Sequence, residues 1–154
     1  MTPRAIVSYE HRLDSLFGKV RAANTDLELQ AQLSCHLCVL VSGYLEVSVR
    51  TILQEYARSK SHPFVSNFVS VQIARFQNPS ADRVFDILQT FNREWADGLR
   101  AKSEGKITDH VNSIVSNRHN IAHGALSGIS FVTIASYYES AQRFVQLLQE
   151  QCTD

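Results

Sequence analysis

The stretch from Thr25 to about Arg58 constrains the fold more than any other part of the chain. Leu29, Leu33, Leu37, Leu40, Val41, Tyr44, Leu45, Val49, Ile52, Leu53 and Tyr56 recur through it at helical spacing. One long helix with so broad an apolar face has to be covered on several sides, so it predicts the centre of an all-helical core. Its start is signalled by Thr25-Asp26-Leu27-Glu28, which has the spacing of a capping box: a hydroxyl at the N-cap and a carboxylate three residues on.

The remaining segments supply the covering helices. Ile6, Tyr9, Leu13, Leu16, Phe17 and Val20 form one apolar stripe, with Pro3 suited to a first turn and Asn24 ending the segment. A polar break from Ser59 to His62 precedes Pro63 and a shorter helix from Phe64 to Phe76. Asn78-Pro79-Ser80 is a turn, and Ser80 can cap a helix through Phe91. Asn92 to Leu99 continues or restarts that helix, with Trp95 as an anchor, and Lys102 to Lys106 reads as a polar loop. Thr108 is the expected cap of the next helix, whose apolar side is Val111, Ile114, Val115 and Ile121, with Gly124 as its C′ residue. Leu126 to Gly128 connects it to a last helix, Ser130 to Gln151, striped by Ile134, Tyr138, Ala141, Val145 and Leu148. Short connections between long helices predict an all-α antiparallel bundle of about five to six helices. No repeat or linker divides residues 1–154, so a single domain is expected.

Composition narrows the function classes. The 154 residues carry 15 basic and 15 acidic side chains, a formal net charge of zero. That argues against a surface that grips nucleic acid everywhere and leaves room for a local basic site. Eleven of the 15 cations are arginine, which recognises phosphate by a planar fork rather than as a point charge. No apolar run approaches the roughly eighteen residues of a membrane span, Leu37 to Leu45 being the longest candidate. The first twenty residues are broken by Arg4, Glu10, Arg12 and Asp14, unlike a signal peptide. Three cysteines suit no disulfide framework, and a reducing cytoplasm is the simplest home.

Several residue pairs invite chemistry and have a plainer reading. Cys35 and Cys38 have C-x-x-C spacing but fall mid-helix among apolar neighbours, where free cysteine packs as a small hydrophobe. His119 and His123, four apart, could chelate a metal, yet no third ligand lies nearby in sequence, and neither metal nor cofactor is expected. Glu46 and Arg50 make an ordinary ion pair, or Glu46 orients a group in a site; spacing leaves both open. Tyr137 and Tyr138 read as core or interface aromatics, and His11, His62 and His110 as surface residues.

The segment from Asn117 to Gly124 is the most suggestive. It places a fixed cation, Arg118, and two residues with a mobile proton, His119 and His123, beside Asn120 at a helix end. Cationic side chains there also simply complement the negative end of the helix dipole. For chemistry, Arg118 and His123 have to converge. Five steps of about 100° separate them by about 140° around a regular helix and about 7.5 Å along it. Either the last turn distorts, or two copies meet about a two-fold axis and share one cleft.

This segment resembles the signature of the HEPN superfamily, small all-α bundles with an arginine, four to six residues and a histidine. Here Arg118 and His123 enclose four residues, with His119 as the polar follower. The stretch Val41-Ser42-Gly43-Tyr44-Leu45-Glu46-Val47-Ser48-Val49-Arg50 resembles the second helix of the RiboL-PSP-HEPN branch. The resemblance implies a metal-independent endoribonuclease, often a toxin or antiviral effector, with its site at a homodimer interface. Arg118 and His123 are then the expected catalytic residues, His119, Asn120 and Glu46 the supporting ones. RNA and a second copy are the expected partners, with an antitoxin protein as a further one. The alternative it implies is a non-catalytic interaction or nucleotide-binding module.

Overall fold

The structure is a computed structural model, and it describes residues 1–23, 25–125 and 127–153. Among the described residues seven helices follow one another: α1 (Arg4–Ala22), α2 (Leu27–Lys60), α3 (Pro63–Ile73), α4 (Ala81–Phe91), α5 (Arg93–Ser103), α6 (Lys106–Ala122) and α7 (Phe131–Gln151). The all-α expectation holds, with seven elements where five to six were expected. Asn24 and Leu126, the expected end of the first helix and start of the last connection, lie outside the described residues.

The extra element comes from the α4–α5 junction. Asn92 has an extended backbone, and its side chain accepts a hydrogen bond from the Glu94 N–H, so the chain stops and restarts within one residue. Trp95 anchors the restart, edge-on to Tyr56 of α2 at 4.7 Å between ring centroids. Two expected caps move. Asp26, not Thr25, caps α2, accepting from the Leu29 N–H at 2.8 Å. Gly105, with φ of 88°, begins α6, while Thr108 lies inside it and donates to the Ser103 carbonyl. The polar loop expected from Lys102 to Lys106 therefore shrinks to the Glu104–Gly105 turn. His62 caps α3 through its ring Nδ1, and α3 ends at Ile73 rather than Phe76.

α2 is central, as its apolar face requires. Leu37, Cys38, Val41, Tyr44, Leu45, Val49 and Leu53 are wholly buried, and α1, α3, α6 and α7 all pack on α2. Over eighteen residues α2 is long and apolar enough to cross a membrane by length and composition, which amends the expectation drawn from the shorter Leu37–Leu45 run. More than half of that window is buried against the other helices. Close packing of α1 on α2 depends on Gly43: a Cβ there would stand 2.6 Å from the Tyr9 hydroxyl, which donates to the Leu40 carbonyl.

Two buried tyrosines tie three helices through carboxylates. Tyr44 of α2 donates to Glu10 of α1 at 2.6 Å, and Tyr138 of α7 donates to Asp14 of α1 at 2.9 Å. Burial first, and then the hydrogen bonds to these carboxylates, raise both phenol pKa values above the ordinary 10.0. A group held protonated in the fold contributes stability that is present below its unfolded pKa and is lost as pH rises above it. Denaturant midpoints are therefore expected to fall above pH about 10, and less steeply in Tyr44→Phe and Tyr138→Phe. Identical slopes in all three proteins would contradict the assignment.

Helix directions place the ends of the bundle. α1 and α7 are antiparallel, with Phe17 against Phe131 at one end and the Met1 carbonyl accepting from Gln149 at the other. α2 and α7 are parallel: Tyr44 meets Tyr138, while Ile52 and Tyr56 share a cavity of about 280 Å³ with Gln149 and Cys152. α6 runs against both, with His110 bonded to Ser140 and Cys38 to the Ile114 carbonyl. One pole thus gathers the C-termini of α1 and α6 and the N-termini of α2 and α7. Toward the other pole, α3 turns Phe64, Val65, Phe68 and Val71 to solvent.

Candidate functional site

α6 carries the arginine–histidine motif, and its packing decides where each side chain goes. Val111 and Ile114 are wholly buried, and Arg118 and Ile121 continue the same row at spacings of four and three, half-buried. Arg118 thus takes a core-facing position where the core runs out. Among the described residues no carboxylate pairs with it.

The helix remains regular through Ala122 and closes in a Schellman motif. His123 is the C-cap at φ −94° and ψ 11°, and Gly124 turns left-handed at φ 72°. The Gly124 N–H donates to the Ile121 carbonyl and the Ala125 N–H to the Asn120 carbonyl. Asn117 fastens the connection that follows: it donates to the Ser113 carbonyl and accepts from the Ser127 hydroxyl at 2.6 Å. Gly124→Ala is expected to cost about 1–2 kcal/mol, the price of a left-handed residue with a Cβ. Thermal melting checks this, and an unchanged midpoint would contradict it.

His119 and His123 are exposed and lie in contact, with ring centroids 4.3 Å apart and planes inclined by 52°. Asn120 is exposed beside them, its side chain free of hydrogen bonds among the described residues. Because the helix is regular, the distorted last turn that would fold Arg118 onto His123 does not occur. The arginine follows the inward row, and the two imidazoles point about 100–140° away around the helix.

Glu46 stands elsewhere. It pairs with Arg50 at 2.9 Å, and Arg50 also donates twice to the Phe76 carbonyl, holding the turn after α3 against α2. Cys38 is level with Ile114; Glu46 lies two turns from it toward one pole and Arg118 one turn toward the other. At 1.5 Å per residue they are about 18 Å apart along the axis. Within one chain, Glu46 does not join Arg118, His119, Asn120 and His123.

The pole holds residues that motif reading missed. Lys19 and Arg21 end α1 there, exposed, with the Arg21 guanidinium 5.6 Å from the centre of the Phe131 ring. Leu27, Leu29 and Val132 stand at the same pole with their side chains in water, Leu27 84% and Val132 78% exposed. The basic last turn of α1 was visible in the sequence, but its neighbourhood to α6 depends on helix direction.

Other candidate groups have structural employment. Cys38 is buried, its thiol directed at the Ile114 carbonyl, and burial pushes its pKa up to about 12, which leaves it an unreactive thiol. His110 is half-buried rather than on the surface. It bonds Ser140 and packs at a tilt against Tyr137, and burial, with Lys106 nearby, lowers its pKa. Among the described residues no group of three or more His, Cys, Asp or Glu side chains could hold a metal ion.

Comparison with known proteins adds the family. No curated protein and no solved structure matches the chain. The family model described as RiboL-PSP-HEPN matches residues 6–154. The match takes in α2, where Gly43, Tyr44, Glu46 and Arg50 shape the packing, and α6 with its arginine and histidines. An all-helical bundle matched over nearly its whole length belongs to the RiboL-PSP-HEPN family.

Proposed function

We propose that this protein is a metal-independent endoribonuclease whose site forms where two copies meet at the pole bearing Arg118, His119 and His123. One observation carries the reading: two exposed imidazoles in contact at the end of α6, His119 and His123, follow an arginine that no described carboxylate neutralises. RNA supplies the nucleophile, its own 2′-OH. His123 of one copy removes the 2′-OH proton, O2′ bonds to phosphorus, and the P–O5′ bond breaks as His123 of the other copy returns a proton to the leaving oxygen. The products are a 2′,3′-cyclic phosphate and a 5′-hydroxyl end. Arg118 from each copy stabilises the charge on the crowded phosphate. His119 exchanges protons with the neighbouring His123, and Asn120 positions the substrate. Lys19 and Arg21 supply local positive charge that the neutral chain lacks overall.

The angle between Arg118 and His123 supports a two-copy arrangement, and Leu27, Leu29 and Val132 give that pole an apolar surface that a partner would cover. The test is cleavage of mixed RNA with chelator present, and the cyclic-phosphate end group as signature. An RNA with 2′-deoxy sugars is expected to survive, and its cleavage would end the proposal. In the cell the enzyme acts as a toxin or defence effector, and its expression is expected to slow growth in a His123-dependent way. The alternative, a non-catalytic interaction module, draws on the outward apolar face of α3 and predicts RNA or partner binding without turnover.

A further inference from the structure

We propose that the His119/His123 pair binds a borderline transition-metal dication of the zinc, nickel or copper class, and that its occupancy silences the site. The geometry of the pair is already close to that of a chelate. One turn of helix brings the two rings to 4.3 Å between centroids. Two imidazoles whose nitrogens bind one tetrahedral cation at about 2.0–2.1 Å have their ring centres about 5 Å apart. Small rotations of two exposed side chains close that difference.

The ring nitrogens of this pair are also free to bind. His62 and His110 each commit Nδ1, to the Phe64 N–H and the Ser140 hydroxyl. Among the described residues neither His119 nor His123 makes a side-chain hydrogen bond, and both are exposed. The Schellman cap fixes the backbone at His123, so chelation orders little beyond the two rings. The pair ends α6 at the negative end of its dipole, which favours a cation.

With no third His, Cys, Asp or Glu in reach among the described residues, water fills the remaining positions. Such a site is reversible rather than structural, and its imidazole ligands discriminate against magnesium and calcium. A nitrogen lone pair given to a metal cannot accept a proton. The bound ion therefore withdraws His123 from proton transfer, a consequence that rests on the reading under Proposed function, whereas the binding itself does not.

The experiment is calorimetric titration of the full chain with Zn²⁺, and separately with Mg²⁺, in a non-chelating buffer. His119→Ala and His123→Ala are each expected to weaken zinc binding by about tenfold or more, and Arg118→Ala to bind like the wild type. Wild-type zinc affinity in either histidine variant, or equal affinity for Mg²⁺, overturns the site. In parallel, zinc at its saturating concentration is expected to stop RNA cleavage and excess chelator to restore it. Cleavage unchanged by saturating zinc overturns the silencing. Absence of any cleavage with chelator present overturns the ribonuclease reading instead, and the titration still decides whether the ion binds.

Discussion

Alanine at His123 or at Arg118 is expected to lower the proposed RNA cleavage by about a hundredfold to ten-thousandfold, the range for removing a proton-transfer group or a charge-stabilising donor. Both variants should remain folded. His123 is an exposed C-cap whose backbone, not its side chain, makes the closing hydrogen bonds of α6. Arg118 is half-buried at the rim of the core, and no described carboxylate loses its partner when the guanidinium goes. Unchanged melting temperatures would thus accompany the lost activity. Initial rates on a uniform RNA, beside thermal melts of the same samples, measure both losses. Cleavage at the wild-type rate by either variant would remove that residue from the mechanism.

The second large effect concerns assembly. Leu27→Glu together with Val132→Glu places charge on the apolar surface of the motif pole and is expected to convert a dimer into a monomer. Cleavage should fall with it to the level of His123→Ala, although no side chain of the motif has changed. A stable interface buries about 800 Å² on each partner, so burying two unpaired carboxylates near its centre is enough to split it. Phe64→Glu with Phe68→Glu provides the contrast. These residues are as exposed as Leu27 and Val132, but α3 runs along the far half of α2, where Gln54 reaches the Ser70 carbonyl and Arg50 the Phe76 carbonyl. The α3 pair is expected to leave both dimer and cleavage intact. Light scattering and rate measurements on the same samples decide between the surfaces, and a monomeric but fully active Leu27/Val132 variant would contradict the composite site.

Much of this bundle is written in periodicity. The stripes through α1, α2, α6 and α7 place Leu13, Phe17, Leu37, Leu45, Ile114, Ile134 and Leu148 inward, and all are buried. Periodicity failed where local chemistry offered near-equal choices. Thr25 and Asp26 are adjacent residues that both cap well, and the carboxylate won by accepting the Leu29 N–H. Thr108 resembles a cap but satisfies the Ser103 carbonyl from inside a helix already begun at Gly105. Leu29 belongs to the apolar stripe by spacing, yet it is exposed near the start of α2.

For the site, the motif on α6 and the angle between its residues are sequence properties. The company it keeps is not. That Lys19, Arg21, Leu27 and Val132 share its pole while Glu46 lies about 18 Å away follows from which helices run parallel, and one residue's neighbours in sequence carry no record of that. His110 shows the same limit: nothing in its local sequence marks the bond to Ser140 thirty residues on.

The most direct test of the composite site is subunit mixing. Wild-type chain is co-assembled with an equal amount of His123→Ala chain, and cleavage is measured per wild-type plus variant protein. If both copies contribute their His123 to one cleft, only dimers of two wild-type chains cut, and activity falls to about a quarter of the undiluted value. An activity of about half, the result for chains that each carry a whole site, would contradict the claim that each copy supplies half.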